Sequence, residues 1–127
     1  MSSKEALKAF TRIIDILLAR ADSLPFRDPV DWKDLGLWDY RDIITYPMDL
    51  GTVRSNLESN AYLTVSAAAA DARTVFSNCC TYNEEGTDYY SLGEAFSLRF
   101  EDMYAKIAAY EGGSKDASAL EGAGGTG

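Results

Sequence analysis

The sequence predicts an all-α fold, a bundle of four helices. Three observations predict it. Apolar residues recur at helical spacing in four separate stretches; helix-start signals stand in front of them; and no stretch alternates as a strand would. At 127 residues and 46% hydrophobic content, the chain suffices for one domain with an ordinary core.

Ser2 and Glu5 form an S-x-x-E capping box. Behind it Leu7, Phe10, Ile14, Leu17, Leu18 and Ala21 form one stripe, and this helix is expected to end near residues 22–23, before Pro25. Residues 24–48 are punctuated by Pro25, Pro29, Gly36 and Pro47. The same stretch is rich in large apolar groups, among them Phe26, Val30, Leu35 and Leu37. It reads as a long loop packed on the body, with a short helical turn near residues 32–35; such loops are usually functional.

Asp49 caps a short second helix carrying Leu50, Val53 and Leu57, and Asn60 stops it. Thr64 caps a third, whose stripe is Val65, Ala68, Ala69, Ala72, Val75, Phe76 and Cys79. A polar turn, N-E-E-G-T-D, spans residues 83–88. The fourth helix then carries Leu92, Phe96, Met103 and Ile107, and Gly112 with Gly113 is expected to end it. The bundle is thus assigned to residues 1–111 and a disordered tail to 112–127.

Composition narrows the chemistry. There is no histidine, which removes the usual triads and most transition-metal sites. The acidic turn lacks the spacing of a calcium loop, and no glycine-rich phosphate loop lies outside the tail. The expectation is a binding module without cofactor or metal, not an enzyme. A net charge of −8 disfavours nucleic acid and favours a basic partner. No apolar run approaches the ~20 residues of a membrane span. Cys79 and Cys80 are adjacent, read as two reduced thiols, and with the polar N-terminus they suit an intracellular protein.

In an up-and-down bundle the first and third connections share one end. The long loop with Tyr40 and the turn behind Tyr82 and Asn83 can therefore face each other, with Tyr89 opening the last helix beside them. Asn83 has a simpler role open to it, as the cap of the third helix. Asn78 reads as a backbone-bonding residue, and Trp32 and Trp38 read as loop packing.

Residues 78–83, N-C-C-T-Y-N, resemble the N-C-x-x-Y-N segment of bromodomains. Residues 39–53, D-Y-R-D-I-I-T-Y-P-M-D-L-G-T-V, resemble the family's D-Y-x-x-I-I-x-x-P-M-D-L-x-T-I/V run. Leu24-Pro25-Phe26 followed by Pro29-Val30 resembles its W-P-F…P-V shelf. The resemblance covers about residues 5–110. It implies a left-handed four-helix bundle with a long loop between the first two helices. It implies Nε-acetyl-lysine as ligand, most often on histone tails, and with it a nuclear reader; oligomeric state is left open, with a monomer the default expectation. The implied roles are specific. Asn83 donates to the acetyl carbonyl, and Tyr40 reaches it through a water. Val30, Leu35 and Leu37 form the apolar wall, with Pro25, Phe26 and Tyr82 beside them, and Tyr89 stands as gatekeeper. Leu24 replaces the family's frequent Trp, and Trp38 a common Pro. The alternative is the same scaffold used for protein contact without acetyl-lysine; the presence of both Tyr40 and Asn83 argues for the reader.

Overall fold

The computed structural model describes residues 1–116. Its helices are α1 (Ser3–Ala19), α2 (Leu24–Arg27), α3 (Tyr40–Ile43), α4 (Leu50–Glu58), α5 (Val65–Tyr82) and α6 (Asp88–Asp116). Among the described residues there is no strand. Four of the helices close a ring: α1 packs on α4 and α6, α5 packs on the same two, and α1 and α5 meet across the middle. The remaining two, α2 and α3, are single turns inside the long connection.

Each main helix begins where its cap residue stands. Ser2 Oγ accepts the Glu5 N–H at 3.1 Å, while Glu5 Oε1 accepts the Ser2 N–H at 3.0 Å. Asp49 Oδ2 accepts the Thr52 N–H at 2.8 Å, and Thr64 Oγ1 accepts the Ala67 N–H at 3.1 Å. Such side chains satisfy donors that the first helical turn leaves unpaired.

The interior of α5 is Val65, Ala68, Ala69, Ala72, Val75 and Phe76, all buried. Its alanines let α1, which buries Phe10, Ile13, Ile14 and Leu17, come close. On α6 the buried side chains are Phe96, Phe100, Tyr104 and Ile107, with Leu92 and Met103 only partly covered. Phe100 and Tyr104 are additions to the expected face. The aromatic rings meet edge-on, as their quadrupoles prefer: Phe10 and Phe100 at 5.7 Å and 78°, Phe26 and Phe76 at 5.5 Å and 88°.

Three element boundaries depart from expectation. Helix α1 ends at Ala19, a turn early, because Arg20 is extended (φ −73°, ψ 139°). The buried Ser23 hydroxyl then lies 2.7 Å from the Arg20 carbonyl and 3.0 Å from that of Leu18, occupying acceptors that a longer helix would have used. Pro25 does not break the chain into loop; it sits in the first turn of α2, where a missing N–H costs nothing. And α6 continues through Gly112 and Gly113 to Asp116. A glycine costs a helix about 1 kcal/mol without forbidding it. The expected disordered tail falls, beyond Asp116, outside the described residues.

Candidate functional site

The long connection is held at four points, and together they shape a cavity. The first is α2. Phe26 is 4% exposed and wedged between Phe76 and Phe96, with ring centroids at 5.5 and 4.9 Å. The end of α2 lies directly on the first turn of α4, where a Cβ on Gly51 would overlap the Arg27 carbonyl oxygen. Only glycine permits that approach.

The second point is the turn at residues 31–37. Leu35 N–H donates to the Asp31 carbonyl (3.0 Å) and Leu37 N–H to that of Trp32 (2.8 Å), with Gly36 at φ +72°. This is a hydrogen-bonded turn where a helical turn was expected. Trp32 and Trp38 pack edge to face at 5.7 Å on its outer side, and neither lines the cavity.

The third is α3. Tyr40, 7% exposed, packs against the Tyr82 ring at 4.9 Å, and the Tyr82 hydroxyl donates to Asp39 Oδ1 at 2.6 Å. The fourth is Asn78, whose amide donates to the Tyr46 carbonyl at 2.9 Å. Asn78 does bond backbone, but backbone of the distant loop rather than of its own helix.

The opposite lip is the α5–α6 turn. Asn83 ends α5 with its own N–H on the Cys79 carbonyl (3.1 Å), and its side-chain Nδ2 donates to the same oxygen (2.9 Å). The capping role therefore exists. It fixes which end of the amide carries nitrogen; the same nitrogen also makes a long contact of 3.8 Å to Cys79 Sγ, a weak acceptor. Across the turn the Cys79 thiol donates to the Tyr89 carbonyl at 3.2 Å, fastening α6 to α5. Gly93 allows this, since a Cβ there would lie 3.0 Å from Cys80 Sγ.

Between these lips lies a cavity of about 500 Å³. All nine residues singled out from the sequence border it: Asn83, Tyr40, Val30, Leu35, Leu37, Tyr82, Tyr89, Phe26 and Pro25. Val30 and Leu37 are half-buried, whereas Leu35 and Tyr89 are 64% and 56% exposed and stand at the rim. Met48, Val75 and Cys79 also border it. The latter two sit on the α5 stripe, and helical periodicity does not separate a residue facing a cavity from one facing the core.

The interior is mostly apolar, with a few polar groups. Burial, and then the neighbouring Cys79, hold the Tyr40 phenol above its ordinary pKa, so it stays a donor. No described residue hydrogen-bonds its hydroxyl. Burial, followed by Cys80, pushes the Cys79 thiol up to about 11, which makes it a poor nucleophile at neutral pH. Asp49, the buried carboxylate in the lining, accepts from both the Thr52 N–H and its hydroxyl. Such a site suits a neutral hydrogen-bond acceptor on an apolar stem.

A helical bundle whose longest loop closes a largely apolar cavity with a few convergent polar groups has the form of a ligand site. Comparison with known proteins gives the family. The bromodomain family model matches residues 10–95. The chain is 38% identical over 107 residues to transcription factor GTE1 of Arabidopsis thaliana, covering 84% of this chain and 28% of that protein. It is likewise 38% identical over 105 residues to transcription factor GTE4 of the same plant, covering 83% of this chain and 14% of that protein. The chain belongs to the bromodomain family, and it spans under a third of the curated relatives it matches.

Proposed function

We propose that the cavity binds Nε-acetyl-lysine on acetylated proteins, histone tails foremost. The domain then serves as a nuclear reader in transcription, the setting that the names of its relatives suggest. The observation carrying this reading is the pair of donors at a largely apolar cavity: the hydroxyl of buried Tyr40, to which no described residue hydrogen-bonds, and the Asn83 amide, whose second contact is only a long one of 3.8 Å to the Cys79 sulfur, a weak acceptor that a carbonyl could replace.

Acetylation removes the lysine charge and leaves an amide carbonyl on a four-carbon stem. That carbonyl suits the two donors. An unmodified ammonium would lose its hydration beside a buried carboxylate, Asp49, that already accepts two hydrogen bonds from Thr52, at a cost of several kcal/mol. Discrimination thus rests on that penalty, while affinity stays modest, because one neutral hydrogen bond contributes about 0.5–1.5 kcal/mol net.

The test is an NMR titration with matched acetylated and unmodified histone-tail peptides. Saturable shifts at cavity residues with the acetylated peptide alone are expected. Tyr40→Phe, which keeps the ring and removes the hydroxyl, should weaken binding up to about tenfold. Equal binding of both peptides, or none by the folded protein, would instead favour a scaffold used for protein contact.

A further inference from the structure

Helix α5 carries a second stripe beside its apolar one. Asp71, Asn78 and Tyr82 are spaced seven and then four residues apart, which puts them on one face of the helix. All three bond to parts of the chain distant in sequence, and the bonds of two of them fall on either side of Tyr40. Tyr82 donates its hydroxyl to Asp39 Oδ1 at 2.6 Å, one residue before Tyr40. Asn78 Nδ2 donates to the Tyr46 carbonyl at 2.9 Å, six residues after it. Asp71 Oδ1 then accepts the Tyr46 hydroxyl at 3.4 Å, and its Oδ2 accepts that of Tyr62 at 2.7 Å. Asn56 of α4 donates in turn to the Tyr62 oxygen at 3.2 Å.

The stripe therefore grips residues 39–46 at both ends. Between the grips lies α3, a single turn closed by the Ile44 N–H on the Tyr40 carbonyl at 2.8 Å, with the side chains of Tyr40 and Ile44 buried. A helix this short does not hold itself in place. Asp39 does not cap it with its side chain either, because that carboxylate accepts from Tyr82 instead. The position of α3 is thus set from α5. Grips and cavity meet in Tyr40, whose ring lies on that of Tyr82 at 4.9 Å. The residue after Tyr82 is Asn83, the second donor at the cavity. The spacing of the two donors follows from how α3 is fastened beside residues 78–82.

We propose that Asp39 and Asn78 are positioning residues for ligand binding: they hold the Tyr40 hydroxyl at the distance from Asn83 that the ligand requires. This rests on the acetyl-lysine reading and adds two residues that set its affinity through Tyr40. Asp39 does not border the cavity, so it acts there through Tyr82 and the α3 turn alone. Asn78 does border it, but its amide is engaged by the Tyr46 carbonyl. Both effects run through the Tyr40 hydroxyl and should vanish when that hydroxyl is removed, whereas a direct contact or a general loosening of the bundle would persist.

The experiment has a ligand-free arm and a binding arm, both on the full chain. In hydrogen exchange, Asp39→Ala and Asn78→Ala should each speed the Ile43 and Ile44 amides about tenfold and leave those of α1 and α6 unchanged. In calorimetry with acetylated histone-tail peptides, each should bind roughly three- to tenfold weaker, the range one hydroxyl's hydrogen bond allows. In a Tyr40→Phe background each should cost less than about twofold. Asp39→Asn also lacks the charge but keeps an acceptor for Tyr82, and should recover most of the affinity. Unchanged exchange at Ile43 and Ile44, or losses of full size in the Tyr40→Phe background, overturns the positioning role and leaves the reader standing. Failure of every acetylated peptide to bind the folded wild type overturns both.

Discussion

The bundle and its long connection solve opposite problems. The faces of α1, α5 and α6 bury Phe10, Phe76, Phe96 and Phe100 at 2% exposure or less, and helical periodicity alone places most of them. The connection from residue 20 to 49 has no such periodicity. It is held by individual contacts: Phe26 in the core, Gly51 under α2, Tyr82 on Asp39 and Asn78 on the Tyr46 carbonyl. Stability is stored in the first region, and the cavity is shaped by the second. The few residues joining them should therefore affect both.

Phe26→Ala is the hardest break, because that ring is both core and cavity wall. A loss of about 3–5 kcal/mol is expected, read as a lowered denaturation midpoint. Trp38→Ala, on the same loop but 69% exposed, is the control and should stay within about 1 kcal/mol. If Trp38 proved as costly as Phe26, the separation of roles would fail.

Gly51→Ala comes next. Its Cβ must push the Arg27 carbonyl away, so overpacking of about 1–3 kcal/mol is expected, with chemical-shift changes spreading into α2. Shifts confined to α4 would show that α2 is not seated there.

Cys79 marks the joint from the α5 side. Burial pushes its thiol up from an ordinary 9.0 to about 11. Below the lower value both states are protonated and the thiol makes no difference to stability. Between the two, the unfolded chain releases a proton that the folded one keeps, so stability falls as pH rises. Two pH units correspond to about 2.7 kcal/mol, and because the thiol is only partly buried a loss of about 1–2 kcal/mol is expected across that window in urea melts. Cys79→Ser should flatten the slope, and an unchanged slope would place the titration elsewhere. Tyr62, held up at about 12 mainly by burial, acts in the same direction but at higher pH.

Tyr40→Phe is the smallest effect on stability and the sharpest on function. The hydroxyl has no described partner, so its removal should cost under about 1 kcal/mol of folding energy while weakening acetyl-peptide binding.

The two regions were not equally legible in the sequence. The buried face of α5 matches its stripe from Val65 to Phe76, because caps and period agree there. On α6 the pattern through Leu92 and Met103 passed over Phe100 and Tyr104, which lie four and eight residues beyond Phe96 on the more deeply buried line. Single turns such as α2 and α3 carry too few residues for a period, and tertiary contacts hold them. Pro25 therefore looked like a breaker, although the first turn of a helix accepts it. Nor could spacing show that Asn83 bonds the Cys79 carbonyl firmly and its sulfur only at 3.8 Å. That difference needs the folded turn.

The most direct measurement is a crystal structure of the domain with an acetylated peptide. The acetyl carbonyl oxygen is expected about 3 Å from Asn83 Nδ2, with the bond to the Cys79 carbonyl retained and the stem lying along Val30 and Leu37. An acetyl group seated outside the cavity, or inside it without a bond to Asn83, would contradict it.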